Sequence, residues 1–225
     1  MTQIGPGHIS AATPNQDAYI VQQFKWGIVG VVCDGLGSKK YSHIGSSALV
    51  ESVVKAAMQF DFSKTDLCLF EPLVRAIWDI KIHPYSRVDA ASTLLATIVK
   101  DGNVVIGKVG DGAIRVSGKK DLLMDENEDF TNITSSFGKE SVIKWVMFPQ
   151  QDVSHVVMCS DGISEDIKSD NKKEFFDSYV RYYLNKAPLN RKREVKRWLR
   201  SWPVKGHSDD KTIIALVNLK RRDNE

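Results

Sequence analysis

Three apolar runs in this chain stop at an acid beside glycine. Ile28-Val29-Gly30-Val31-Val32-Cys33 ends in Asp34-Gly35-Leu36-Gly37, Ile106-Gly107-Lys108-Val109 in Gly110-Asp111-Gly112, and Val156-Val157-Met158-Cys159-Ser160 in Asp161-Gly162. Asn15-Gln16-Asp17 precedes this series and Ser208-Asp209-Asp210-Lys211-Thr212 follows it. One Asp-Gly is ordinary turn chemistry, but the repeated strand–acid–glycine device calls for a common cause. Carboxylates at the ends of separate strands repel one another and hold their protons more tightly unless a cation neutralises them. The device offers oxygen donors and glycine carbonyls, without Cys or His, so the pattern suits Mg²⁺ or Mn²⁺ better than zinc. Two such ions about 3.5–4 Å apart can activate a bridging water for in-line attack on phosphorus, which makes phosphate ester hydrolysis the chemistry this spacing suggests.

The elements that must position these acids are legible as well. Asp17–Val21 and Trp26–Cys33 read as neighbouring strands. Ile44, Ala48, Leu49, Val53 and Ala56 follow helical spacing as far as about Phe60, and Leu73, Val74, Ile77, Trp78 and Ile82 give a second helix that ends before Pro84. Ala91–Lys100 and Asn103–Val109 flank Asp101-Gly102, a two-residue hairpin turn. Ala113–Ser117 is expected to continue that meander, ahead of a polar stretch from Gly118 to Asn132. Strands follow at Val142–Phe148, Val153–Cys159 and Lys211–Val217, with two helical stripes before the last: Phe175, Phe176, Tyr179, Val180, Tyr183, then Val195, Trp198, Leu199, Trp202. Strands and helices in blocks, without β-α-β alternation, indicate α+β with helices covering sheets.

Length and composition fit one domain spanning residues 1–225: the 225-residue chain is 42% hydrophobic and 26% charged. A net charge of +3 is too mild to imply nucleic acid. No apolar segment approaches the roughly 20 residues of a membrane span, and the start lacks a signal peptide's apolar region, so a cytoplasmic protein without membrane contact is expected. Cys33, Cys68 and Cys159 form no metal or disulfide pattern. The basic run from Arg191 to Arg200 reads as the solvated face of an amphipathic helix.

In order, Asn15-Gln16-Asp17-Ala18, Val32-Cys33-Asp34-Gly35-Leu36-Gly37, Val109-Gly110-Asp111-Gly112, Cys159-Ser160-Asp161-Gly162 and Asp209-Asp210-Lys211-Thr212 resemble the motifs of the type 2C metal-dependent protein phosphatases, in their compact bacterial form. The resemblance runs from about Gly7 to Val217. It implies an α-β-β-α sandwich, two antiparallel sheets flanked by helices, and a monomeric serine/threonine phosphatase of cytoplasmic signalling, acting on phosphorylated proteins and partnered by a kinase. Asp34 is then the acid bridging two Mg²⁺ or Mn²⁺ ions, Gly35 a carbonyl ligand, and Asp161 and Asp209 the remaining direct ligands. Asp17 would hold metal-bound water, and Asp111 with Asp161 would hold a third ion. Asp210 stands where the family has asparagine and reads as a supporting residue.

Two positions depart from the family. Ala12 replaces an arginine that binds phosphate, and Leu36 stands where many eukaryotic members carry a histidine general acid. His8 is the first candidate for the missing role, with His43, His207 and Lys39 behind it. These departures leave a second reading, a type 2C fold kept as a phosphoprotein-binding or regulatory module.

Overall fold

The run that ends at Asp34 forms β3 (Gly27–Asp34), which pairs antiparallel with β2 (Asp17–Phe24) so that Asp17 lies directly across from Asp34. On its other edge β3 meets β4 (Leu94–Lys100), which returns through Asp101-Gly102 into β5 (Asn103–Val109). Both turn residues have positive φ, +54° and +75°, as a type I′ hairpin requires. With β8 (Lys144–Pro149) they complete one antiparallel sheet in the order β2-β3-β4-β5-β8. The computed structural model describes residues 1–125, 136–138 and 143–218. Val142, expected to open the β8 strand, and residues 126–132 of the polar stretch lie outside the described residues.

The second sheet contains β1 (Thr2–Gln3), β6 (Ala113–Gly118), β7 (Leu122–Met124), β9 (Val153–Cys159) and β10 (Lys211–Val217), in the order β1-β10-β9-β6-β7. This corrects the meander expectation: β6 pairs with β9 and β7, not with β5. The chain leaves the first sheet at Gly110-Asp111-Gly112, where φ values of +83° and +90° at the glycines turn it out of the plane. A further difference lies at the amino end, where turn residues form β1 and a one-turn helix, α1 (Pro6–Ser10), opened by proline.

Helices close both outer faces. Phe70, Val74, Trp78 and Ile82 recur every four residues along α3 (Phe70–Ile82), and this buried stripe packs with α2 (Ser42–Gln59) on the sheet that holds β3. Along β3 itself Val29, Val31 and Cys33 face these helices, while Val32 faces the opposite sheet with Leu95, Ile114 and Met158. α5 (Lys172–Leu184) and α6 (Pro188–Arg200) bring Phe176, Val180, Val195 and Leu199 onto the other sheet. The layers are thus helix, sheet, sheet, helix, as the motif order implies. Buried Arg115 on β6 forks to Asp177 on α5 at 2.9 and 3.1 Å, a bidentate tie between sheet and helix. Cys33 and Cys159 are buried free thiols and Cys68 is exposed. Among the described residues no helix is long and apolar enough to cross a membrane.

Candidate active site

The chain segments that carry Asp34, Asp111, Asp161 and Asp209 meet at one edge of the sandwich, where a cleft of about 660 Å³ opens. Asp34 and Gly35 reach it from the end of β3, Asp111 from the crossing between sheets, Asp161 from the first residue of α4 (Asp161–Ser164), and Asp209 from the turn into β10. His8 of α1 lines it as well. Asp17 does not: it is buried behind the cleft, where Ser160 Oγ donates to its Oδ2 at 2.8 Å and, among the described residues, its Oδ1 has no hydrogen-bond partner.

Hydrogen bonds pin the Asp34 and Asp161 corners. Asp34 N donates to Thr93 Oγ1 at 2.9 Å, while its carbonyl accepts from Thr93 N at 2.7 Å and Ser92 Oγ at 2.8 Å. Asp161 Oδ1 accepts from Gly162 N at 2.6 Å. Gly162 has no room for a side chain, since a Cβ there would stand 2.0 Å from the Asp210 carbonyl. That contact sets the Asp161 corner against the Asp209-Asp210 turn.

Asp210 is the bracket of the site. It is 1% exposed, and its two oxygens accept Gly5 N and Gln16 N, each at 2.7 Å. His8 Nδ1 approaches Asp210 Oδ2 to 2.8 Å without the alignment of a hydrogen bond, so the contact becomes an ion pair when the ring is protonated. His8, Asp209 and Asp210 each place a ligand atom within 4.8 Å of the others.

Electrostatics set these acids apart from surface carboxylates. Burial, followed by the charges of Asp17 and Asp161, pushes Asp34 well above the usual carboxylate range. Burial likewise raises Asp161, with the charge of Asp209 adding to it, and lifts Asp17 to about 8. A carboxyl raised in the folded state binds more protons there than in the unfolded chain, so it makes stability fall as pH rises. In EDTA, melting temperature is therefore expected to decline from about pH 4, where unfolded carboxyls titrate, up to about 8 for Asp17. Mn²⁺ should flatten that decline; a melting temperature that rises over this window in EDTA would contradict the assignment.

Of the other candidates, none lines the cleft. Lys39 lies just beyond Ser38, His43 is on α2, and His207 Nδ1 contacts Lys211 Nζ at 3.0 Å. Ala12 is exposed at φ +55° and also lies outside the lining. Sequence reasoning missed Ser160, which joins Asp17 to β10 through Thr212 N at 3.0 Å, and Lys211, buried with its Nζ 3.0 Å from the Asp209 carbonyl. A small hydroxyl residue immediately before the acid was the available signal for Ser160.

Paired antiparallel sheets between helices, with acids from both converging at one edge, define a class of α+β sandwich built around a polar cleft. The family model for protein phosphatase 2C matches residues 4–202, and the chain belongs to that family. Among solved structures, a bacterial serine phosphatase superposes with a TM-score of 0.66 at 16% identity, over 96% of this chain and 95% of that one. The serine/threonine phosphatase Stp1 from Staphylococcus aureus gives 0.65 at 16% identity, over 97% and 93%. RsbX, solved in complex with magnesium, gives 0.58 at 14% identity, over 96% and 91%. No curated protein matches the sequence.

Proposed function

We propose that this protein is a metal-dependent serine/threonine phosphoprotein phosphatase. Membership of the family supports phosphatase chemistry, and one observation carries the finer reading: Asp34, Asp111, Asp161 and Asp209 line a single cleft. Buried carboxyls driven up by burial and by one another are what an anionic site shows when its cation is subtracted. The donor set is oxygen, and the Oδ1 of Asp17, which has no hydrogen-bond partner among the described residues, adds a further acceptor behind it. Such a set fits Mg²⁺ or Mn²⁺.

Asp34, the Gly35 carbonyl, Asp161 and Asp209 would hold two ions, and Asp111 with Asp161 a third. Bound divalent ions supply charge neutralisation for the phosphate and a nucleophile at neutral pH. Asp17 orients what lies between those acids from behind, and Ser160 keeps it facing that way. His8, steadied against Asp210, faces the cleft and takes the part that Ala12 and Leu36 leave open, donating a proton from its ring to the leaving alkoxide or binding the phosphate. The natural substrate is a phosphorylated protein of the cytoplasm, made by a partner kinase, and the enzyme acts as a monomer.

Release of inorganic phosphate from p-nitrophenyl phosphate and from a phosphoserine peptide tests this directly. Turnover is expected with MnCl₂ or MgCl₂ and none in EDTA; no release with either metal would leave a phosphoprotein-binding module of this family. His8→Ala should lose turnover or raise KM. A variant that matches the parent at every pH would remove His8 from the chemistry.

A further inference from the structure

The outer surface of α5 and α6 carries a groove of about 480 Å³ that shares no residue with the acid-lined cleft. Tyr179, Tyr182, Tyr183 and Trp198 line it, together with Glu194 and Arg197. Its aromatic rings are close-set, with Tyr182 and Tyr183 at 4.9 Å and Tyr179 and Trp198 at 5.8 Å, yet Tyr182 remains 52% exposed. An aromatic concavity of this kind suits an inserted apolar side chain.

The charge beside the groove is lopsided. Residues 186–200 hold seven Lys or Arg against the single Glu194, whereas the whole chain is only +3, so the rest of the chain is net acidic. Arg191 is used internally, its guanidinium donating to the Leu184 and Lys186 carbonyls at the end of α5. Arg193, Lys196, Arg197 and Arg200 are exposed and, at spacings of three and four, share one face of α6. Among the described residues none of the four has a carboxylate partner. Like charges at that spacing oppose the helix, so the face gains stability when acids from outside meet it.

We propose that the groove and this basic stripe dock an acidic peptide segment bearing an apolar or aromatic residue, carried by the protein substrate apart from its phosphorylated residue. That the segment belongs to a substrate rests on the phosphatase reading above; the docking itself does not. Glu194 favours a peptide over other polyanions. A peptide brings a backbone N–H donor to that carboxylate at nearly every residue, whereas a nucleic acid strand brings a phosphate charge with every nucleotide and an anionic lipid surface a dense layer of such charge, which Glu194 opposes.

The test uses the full chain and a fluorescein-labelled peptide of Asp and Glu residues around a central Leu-Trp pair. Its control has every acid replaced by Ser. Fluorescence anisotropy should show binding to the acidic peptide that weakens with salt. The combined variant Arg193→Glu, Lys196→Glu, Arg197→Glu should bind about tenfold more weakly or worse, and Tyr182→Ala should weaken binding at unchanged salt dependence. Neither variant should change p-nitrophenyl phosphate hydrolysis. Joining the acidic segment to a phosphoserine peptide should lower KM for the parent and not for the charge-reversed variant. Equal binding of the acidic and Ser peptides, or binding undiminished by charge reversal, overturns the proposal. So does binding of a single-stranded oligonucleotide or of phosphatidylserine vesicles without binding of the peptide. If the parent hydrolyses nothing, the phosphatase reading fails while the anisotropy result still decides the groove.

Discussion

Asp34→Asn is expected to abolish phosphate release while leaving the protein as stable in EDTA as the parent, or more so. Burial first, and the charges of Asp17, Asp161 and Asp209 after it, oppose ionisation at this position. Asparagine keeps the shape, removes one anion from the set and thereby relieves its neighbours. Each kcal/mol relieved should raise the melting temperature by about 2–4 °C in a chain of this size. The loss of turnover should be at least about a hundredfold, because the change removes charge from where the reaction needs it preorganised. A third readout separates this from a structural role. Mn²⁺ should raise the melting temperature of the parent by binding the native state alone, and that increment should shrink or vanish in the variant. If Asp34→Asn unfolds in EDTA, the carboxylate is a structural group and the assignment of the cleft is wrong.

Asp210→Ala should do the reverse of its neighbour. The buried Asp210 carboxylate accepts Gly5 N and Gln16 N, and its loss strands two buried donors. Leaving each unsatisfied costs about 1–3 kcal/mol, which together corresponds to a fall of several degrees or more in melting temperature. Asp209→Ala removes a carboxylate that lines the cleft and, among the described residues, accepts only from the adjacent Asp210 N. Its melting temperature in EDTA should therefore hold, while hydrolysis and the Mn²⁺ increment disappear. Differential scanning fluorimetry of the pair, with and without Mn²⁺, decides between a bracket and a ligand at two consecutive positions. Equal destabilisation by both would show that the turn as a whole, and not the Asp210 carboxylate, ties the amino-terminal segment down.

The features legible in the sequence were those that local chemistry dictates. Strand runs ending in Asp34, Asp111 and Asp161 announced where carboxylates would emerge, because the apolar alternation and the glycine corner lie within a few residues of each other. Asp101-Gly102 was separable from them for the same reason, since two strands flank it at hairpin distance. The sheet to which β6 belongs was not legible. Its partner β9 begins more than thirty residues later, and nothing near Gly110-Asp111-Gly112 names that partner. Asp210 was read as a supporting residue, but its partners Gly5 and Gln16 are 205 and 194 residues away. The two helical stripes were legible, and Phe176, Val180, Val195 and Leu199 from them are buried; exposed Tyr182 shows that periodicity does not say where a helix surface is left open.

The division of the acids between the two sheets bears on how the molecule moves. Asp17 and Asp34 belong to the sheet of β2 and β3, Asp161 and Asp209 flank β9 and β10 of the other, and Asp111 rides the strand of chain that passes between them. Any sliding of one sheet over the other changes the gaps among these carboxylates before it disturbs a single ladder hydrogen bond. A cation closing the set would act as a rivet across that seam, suppressing shear and slowing local opening on both sides of it. Amide hydrogen exchange should then slow together in β3, β9 and β10 when Mn²⁺ is added, so the protein would report occupancy of its cleft in the breathing of strands that run the full depth of the sandwich.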